Sequence, residues 1–216
     1  MAAAYETSAI YTAVTFAEAG ETESIASVGA GSGANRVLLV AIFWYYKGND
    51  ISAVRYNTVG MTDSSGGRIG ALGSGNEWSG RLYRLVNPAS GANTLAIDVG
   101  NTGGQGDSIA MVMVSVDNTV DQTTPVDGLQ TVGANGSTVN AVTNIPAITS
   151  AVGDRVHVFH GIINDNGEDL TATPTNYTER QDAFVALAGT AGEFGDADGA
   201  ASVDTQAAWS GAPARR

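Results

Sequence analysis

The chain contains two histidines that could take part in catalysis or metal binding. His157 and His160 are its only histidines, and they lie three positions apart in an alternating apolar segment that predicts a β-strand. Successive side chains of a strand point to opposite faces, so these two imidazoles point away from each other. They cannot ligate one metal ion without a β-bulge. We therefore predict that one histidine is buried, that the other faces solvent, and that they form no metal site.

The sequence carries no recognisable catalytic motif. It contains no Gly-x-Ser-x-Gly nucleophile turn, no phosphate-binding P-loop and no Gly-x-Gly-x-x-Gly dinucleotide turn. A Ser/His/Asp triad would have to use one of the two histidines, and no motif supports such a triad. We predict no catalytic residue, no cofactor and no enzymatic activity.

Acidic residues cluster at two places where the sequence predicts turns. Asp196, Asp198 and Gly199 follow Glu193 and resemble the first half of a calcium loop, but the fifth and twelfth positions counted from Asp196 are alanines. We interpret this segment and the acidic cluster over 165–169 as solvated turns. Calcium bound at a subunit contact stays open as an alternative, because ligands from two chains can combine.

Aromatic side chains offer a third kind of chemistry, the stacking of sugar rings on a flat apolar face. The candidates are Trp44, Tyr46 and Trp78. Trp44 and Tyr46 share one face of a predicted strand while Phe43 and Tyr45 share the other, so at least one pair belongs to the core. Large aromatic residues dominate interior packing, and we predict core positions for Trp44 and Trp78. A glycan platform made of Trp44, Tyr46 and Trp78 is the alternative.

Strands must position these residues, because the apolar pattern has strand character along the whole chain. Ile10, Val14 and Phe16 lie in an alternating segment, and the run over 37–45 has the β-branched and aromatic composition of a central strand buried on both faces. Clusters of Gly, Ser, Asn and Asp separate the segments, as turns require. The other predicted strands cover 51–56, 68–72, 78–86, 93–99, 109–116, 139–145, 155–163, 184–188 and 203–209.

About ten strands at this spacing predict an all-β, antiparallel β-sandwich. For 216 residues, the most economical arrangement is jelly-roll-like, with two Greek keys that wrap two facing sheets. An immunoglobulin-type sandwich is the alternative, but it needs only about 100 residues. We predict a single domain over 23–216 and assign 1–22 to an N-terminal arm or a first strand.

Composition argues against several kinds of partner. The formal net charge is −12 and Lys47 is the only lysine, so no basic surface is available for nucleic acid or for an anionic membrane. No window reaches the roughly 18 consecutive apolar residues of a membrane-spanning helix. The chain has no cysteine, which excludes disulfides and thiolate metal sites. Its first residues lack the basic and apolar regions of a secretory signal peptide, so we expect no export by that route.

Four segments of the sequence resemble a known domain family. They read NRVLLVA over 35–41, ISAVRYNTVGMT over 51–62, LYRLVNPASGANTL over 82–95, and VSVDN over 114–118 followed by DQTTP over 121–125. Together they resemble the jelly-roll-like β-sandwich domain that is scattered through structural proteins of tailed phages and secreted proteins of bacteria. The resemblance extends over residues 20 to 210.

The resemblance implies a role outside the cell, and the missing signal peptide favours the phage members. A virion protein is made in the host cytoplasm and released by lysis, so it needs neither signal nor disulfide. We expect a non-enzymatic capsid decoration or cement protein on the virion surface, with the major capsid protein as its partner and a trimer as its oligomeric state. A carbohydrate-binding module or adhesin head is the second alternative, and a hydrolase in the same fold is the third.

Overall fold

A computed structural model describes residues 2–16, 20–46, 49–70, 77–101, 108–126, 128–130, 142–163, 171–185 and 190–210. Their regular secondary structure is entirely β-strand and their strand pairs are antiparallel, which confirms the predicted all-β fold. No helix in these ranges is long and apolar enough to cross a membrane. The chain divides into two compact units, Ala3–Pro125 and Val126–Arg216, and the predicted single domain over 23–216 spans parts of both.

The described part of the first unit contains ten strands in two sheets. These are β1 (Ala4–Phe16), β2 (Thr22–Gly29), β3 (Val37–Tyr46), β4 (Asn49–Tyr56), β5 (Val59–Gly60), β6 (Thr62–Asp63), β7 (Ile69–Gly70), β8 (Glu77–Val86), β9 (Ala92–Asn101) and β10 (Ser108–Asn118). One sheet has the order β1-β10-β3-β8-β6, with β7 also paired to β8. The other sheet has the order β2-β9-β4-β5.

Strand pairing in the first unit is nested. β1 pairs with β10, β2 with β9, β3 with β8, and β4 with β5. The chain thus forms one long antiparallel ribbon, folded so that successive pairs lie in alternate sheets. The pairs β10–β3 and β4–β9 then join the ribbon segments within each sheet. We interpret this order as a jelly roll, in which such a ribbon wraps two facing sheets.

The core of the first unit lies between its two sheets. β3 is the middle of the larger sheet, and its residues from Val37 to Ile42 are all buried. Burial at consecutive positions means that both faces of β3 are covered, as its continuous apolar run predicts. Burial of each large apolar side chain stabilises the fold by about 1.5–3 kcal/mol relative to exposure. The core includes Phe16, Leu38, Ile42, Trp44, Ile51, Tyr56, Leu95, Ile97 and Val112.

The N-terminal segment belongs to this sandwich. The sequence leaves residues 1–22 as either an arm or a first strand, and β1 pairs with β10 from Ala4 opposite Asn118 to Phe16 opposite Ser108. The Phe16 side chain is buried, and its ring centroid lies 6.4 Å from that of Trp44. Residues 4–16 are therefore a strand of the larger sheet.

The described part of the second unit contains two three-stranded sheets. Its strands are β11 (Val142–Ile148), β12 (Arg155–Ile163), β13 (Thr171–Thr175), β14 (Thr178–Val185), β15 (Thr190–Asp198) and β16 (Val203–Ser210). The strand orders are β11-β16-β13 and β12-β15-β14. β15 is the middle strand of its sheet, and it carries two buried acidic residues, Glu193 and Asp196. These residues are three positions apart, so they lie on opposite faces of the sheet.

Candidate functional site

Several connections of the first unit emerge at one end of the sandwich, which we call the loop end. It consists of the β2–β3 loop (30–36), the β4–β5 turn (57–58), the β8–β9 loop (87–91) and the segment that follows β10 (119–125). Main-chain hydrogen bonds connect the β2–β3 loop directly to the β8–β9 loop and to the segment that follows β10. Asn87 N donates to Arg36 O at 2.8 Å, and Thr119 N donates to Ala34 O at 3.0 Å. These three pieces of the loop end are therefore joined by hydrogen bonds, and the β4–β5 turn is connected to them through Tyr56.

Arg36 is the side chain that ties two of these loops together. Its guanidinium donates from Nη1 to Ala30 O and to Gly31 O, the latter at 2.8 Å. Its Nη2 donates to Pro88 O in the β8–β9 loop at 2.8 Å. Hydrogen bonds from a charged donor are stronger than those between neutral groups, so Arg36 fixes the spacing of the two loops.

Glu6 anchors the β2–β3 loop to the first strand. Its Oε1 accepts hydrogen bonds from Ser32 N at 2.6 Å and from Gly33 N at 3.0 Å. Desolvation opposes ionisation of Glu6, but these N–H donors outweigh it, and the pKa of the carboxyl is lowered. A Cβ at Gly31, where φ is +64°, would lie 2.3 Å from Glu6 Cδ. Glycine is thus required there both by the backbone conformation and by the carboxylate.

Tyr56, the last residue of β4, connects the β4–β5 turn to the rest of the loop end. Its side chain is fully buried, and its hydroxyl lies 2.9 Å from Val28 O and 3.0 Å from Gly91 O, the two acceptors of its proton. Asn93 Nδ2 donates to the same hydroxyl at 3.2 Å. One buried phenol therefore links the ends of β2 and β4 with the β8–β9 loop.

Unusual backbone conformations are concentrated at the loop end. Seven described residues other than glycine have positive φ, and five of them lie in the loops of this end. Asparagine tolerates this region because its short side chain can hydrogen-bond locally, but a β-branched residue such as Thr58, with φ of 69°, is a rare occupant. At Asn57 and Thr58 the two-residue hairpin turn itself requires positive φ, so the unusual feature there is the threonine. The five residues are Asn35, Asn57, Thr58, Asn87 and Thr119.

Apart from Asp121 in the segment that follows β10, the exposed residues of the loop end are uncharged. Its two charged anchors, Glu6 and Arg36, are both engaged in the hydrogen bonds above. Val59, directly after the β4–β5 turn, adds an apolar side chain that is 52% exposed. Ser, Asn and Thr side chains supply hydrogen-bond donors and acceptors at low desolvation cost. The exposed neutral residues are Ser32, Ala34, Asn35, Asn57, Thr58, Asn87, Ser90, Gly91, Thr123 and Thr124.

Thr58 gives a direct test of this backbone strain. We expect Thr58→Gly to raise the free energy of unfolding of the first unit by roughly 0.5–1 kcal/mol, because relief of the left-handed conformation exceeds the added entropy of the unfolded chain. Thr94→Gly is the matched control, since Thr94 is an exposed residue inside β9, where glycine is expected to destabilise by a similar amount. Denaturant unfolding measures both. A destabilised Thr58→Gly variant would show that the turn is not strained.

A second polar cluster is buried in the second unit. Glu193 on β15 lies opposite His160 on β12, with His160 Nδ1 3.6 Å from Glu193 Oε2. The Tyr177 hydroxyl, just before β14, donates to Glu193 and lies 2.8 Å from both carboxylate oxygens. The Tyr177 ring covers Gly195, where a Cβ would lie 2.3 Å from Tyr177 Cδ2. The absence of a side chain at Gly195 is therefore what allows this packing.

Asp196, on the opposite face of β15, is held by two arginines. Arg155 Nε donates to Oδ2 at 2.7 Å, and Arg180 Nε donates to Oδ1 at 2.9 Å. The sequence interpretation of 196–199 as a solvated turn is wrong for Asp196, which is 1% exposed inside a strand. The physical reason is that arginines from two neighbouring strands neutralise its charge. Asp198, at the end of β15, has a side chain that is 94% exposed.

The two histidines lie on opposite faces of β12, as their spacing predicts. His160 is buried beside Glu193, and its ring meets that of Tyr177 edge-on. His157 is half-buried, because its ring stacks on Phe194 with a centroid distance of 5.7 Å and an interplanar angle of 16°. Within the described ranges no group of three or more His, Asp or Glu side chains is arranged to hold a metal ion.

The Tyr177–Glu193 contact should make the stability of the second unit depend on pH in the alkaline range. Burial, the hydrogen bond to Glu193 and the charge of that carboxylate raise the pKa of the Tyr177 phenol above its usual 10.0. The folded protein thus keeps a proton that the unfolded chain releases, so this contribution to stability is complete below about pH 10 and is lost as the pH rises further.

We expect Tyr177→Phe to flatten this dependence in the second unit. Unfolding measured from about pH 9 to pH 11 should show a shallower loss of stability than in the wild type. Burial also raises the pKa of Tyr83 in the first unit. The pH dependence that Tyr83 gives to the stability of the first unit should be unchanged in this variant and serves as an internal control. Identical pH slopes in the two proteins would contradict the assigned contact.

Comparison with known proteins adds no assignment. No protein-family model matches this chain, and no curated protein matches its sequence significantly. The geometry of the molecule is therefore the basis for inferring its function.

The predicted core position of Trp44 is confirmed, and the alternative glycan platform is not assembled there. This side chain is fully buried in the core of the first unit, where a sugar could not stack on it. Tyr46 and Trp78 lie on the neighbouring strands β3 and β8, but their side chains are outside the part of the molecule that the structure describes. The acidic cluster over 165–169 also lies outside the described residues.

Proposed function

We propose that this chain is a non-enzymatic structural protein of a virion, a capsid decoration protein that binds the outer surface of the shell through the loop end of its first unit. The observation that carries the proposal is the network of Arg36, Glu6 and Tyr56, which fixes several loops into one surface. The major capsid protein is the proposed partner, and a trimer at local threefold positions of the shell is the proposed assembly.

Preorganisation is the physical reason for this choice. Association costs free energy for each loop or side chain that must be ordered, and loops already fixed in the free protein reduce that cost. Binding residues are also concentrated on loops held by a rigid scaffold, which is what the sandwich provides. A surface of this kind suits a protein that docks without rearrangement, in many copies, on a repeating lattice.

Charge supports the same proposal. A formal net charge of −12 keeps the protein in solution and disfavours contact with packaged DNA. The neutral exposed side chains of the loop end allow close contact with another protein without the desolvation of charged groups. Binding should therefore depend only weakly on salt.

Binding to empty shells tests the proposal. Purified protein is added to shells assembled from the major capsid protein of the same genome, and bound copies and shell melting are measured. We expect saturable binding at symmetric sites and a higher melting temperature, because a ligand that prefers the intact shell stabilises it by mass action.

Matched arginine substitutions locate the contact. Ser32→Arg with Ser90→Arg places two long charged side chains on the loop end, and Ser24→Arg with Ser52→Arg makes the same change at exposed serines of β2 and β4. Only the first pair should abolish binding. Retention on a polysaccharide column together with no binding to shells would overturn the proposal in favour of the carbohydrate-binding alternative.

A further inference from the structure

The tip of the β4–β5 hairpin combines two independent features. Thr58 holds a left-handed conformation that β-branched residues rarely adopt, and Val59 next to it is 52% exposed. Among the large hydrophobic residues that the structure describes in the first unit, Val59 is the only exposed one, since Leu129 and Val152 belong to the second unit. An isolated exposed valine needs no explanation by itself. Val59 is of interest because it directly follows Thr58, whose backbone conformation is unusual for a threonine.

The hairpin tip is rigidly held. Asn57 N donates to Thr94 O at 3.0 Å, and Met61 N donates to Val54 O at 2.8 Å, so both sides of the turn are hydrogen-bonded. Tyr56 lies directly before the turn and is buried with its hydroxyl bonded to Val28 O and Gly91 O. The strain at Thr58 therefore cannot relax locally without breaking these contacts.

Val59 has the surroundings of an interface anchor. Protein interfaces have an apolar centre that becomes fully buried, surrounded by a polar rim that excludes water. Next to Val59, the exposed neutral residues Asn57 and Thr58 of the turn supply polar groups for such a rim. The residues adjacent to Val59 in sequence, Thr58 and Gly60, carry no charge.

We propose that Val59 is the anchor of the loop end and inserts into an apolar socket on the protein shell, and that Thr58 is kept in its strained conformation to present it. This inference rests on the proposed function. A protein socket fits better than a sugar, because a branched aliphatic side chain offers no flat ring for stacking. It also fits better than a lipid surface, because the net charge of −12 opposes approach to anionic headgroups.

Paired valine substitutions provide the test. Val59→Asp and Val152→Asp make the same change at two exposed valines, and Val152 in the second unit is 95% exposed. We expect Val59→Asp to weaken binding to the empty shells by about tenfold or more, and Val152→Asp to leave it within about twofold. Val59→Thr keeps the β-branched shape, so it controls for folding of the hairpin and should weaken binding to a smaller extent.

Each outcome separates this inference from the proposed function. Wild-type protein that binds shells while Val59→Asp, shown to be folded, binds equally well overturns the anchor and leaves the decoration function standing. Equal losses for Val59→Asp and Val152→Asp also overturn it, because the effect would then be one of added charge. Wild-type protein that binds no shell overturns the proposed function and this inference together.

Discussion

Trp44→Ala is expected to lower the free energy of unfolding of the first unit by about 3–5 kcal/mol. The side chain is fully buried on the central strand β3, and its ring is tilted at 56° against Phe16 on β1. Alanine removes most of the apolar area and leaves a cavity that the two sheets cannot fill without moving.

Denaturant unfolding followed by circular dichroism measures this loss, with Trp44→Phe as the control that keeps much of the volume. Phenylalanine should retain more than half of the stability that alanine removes. A loss below about 1 kcal/mol for Trp44→Ala would mean that the residue is not part of the core, and would return it to the glycan-stacking alternative.

Asp196→Ala has the second large expected effect, a loss of about 3 kcal/mol in the second unit. Removal of this carboxylate leaves the Arg155 and Arg180 guanidinium groups, whose side chains are 15% and 28% exposed, without their shared acceptor. We expect a loss of stability at the lower end of the range for a broken buried ion pair, because the Arg180 side chain can turn partly toward water.

Asp198→Ala is the matched control for this prediction. Asp198 also contacts Arg155, at 3.3 Å, but its side chain is 94% exposed, so its loss should be nearly neutral. Unfolding curves of the two variants decide the matter. Equal effects would contradict the assignment of Asp196 as the buried centre of this charge cluster.

The sequence predicts those parts of the fold whose information is local. β3 is visible because ten successive residues are apolar, β-branched or aromatic, and its central, doubly buried position follows from that run. The opposite orientation of His157 and His160 follows from the two-residue period of a strand. Both features depend on neighbours in the chain and on nothing else.

β15 shows why other parts were missed. Its sequence, TAGEFGDAD, is rich in glycine and acidic residues, which have low strand propensity and favour turns. It is nevertheless the middle strand of its sheet, because Arg155 and Arg180 neutralise Asp196 and the Tyr177 ring covers Gly195. These partners lie between 16 and 41 positions away in the chain, so no local pattern contains them.

The loop end was missed for the same reason. Locally, residues 29–33 form a glycine-rich turn with no sign of function. Its structure depends on Glu6, which is 26 positions from Ser32, and on Pro88, which is 52 positions from Arg36. The only local signal is Arg36 at the end of this glycine-rich loop. An arginine side chain has several N–H donors and can hydrogen-bond to several carbonyl oxygens at once.

A reconstruction of decorated shells, resolved well enough to orient the first unit, would show which surface of the protein contacts the capsid protein. We expect the loop end to face the shell, with the β2–β3 loop, the β4–β5 turn and the β8–β9 loop in contact with the capsid protein and Val59 buried in that contact. Particles in which the protein is bound but the loop end points outward into solvent would contradict this expectation.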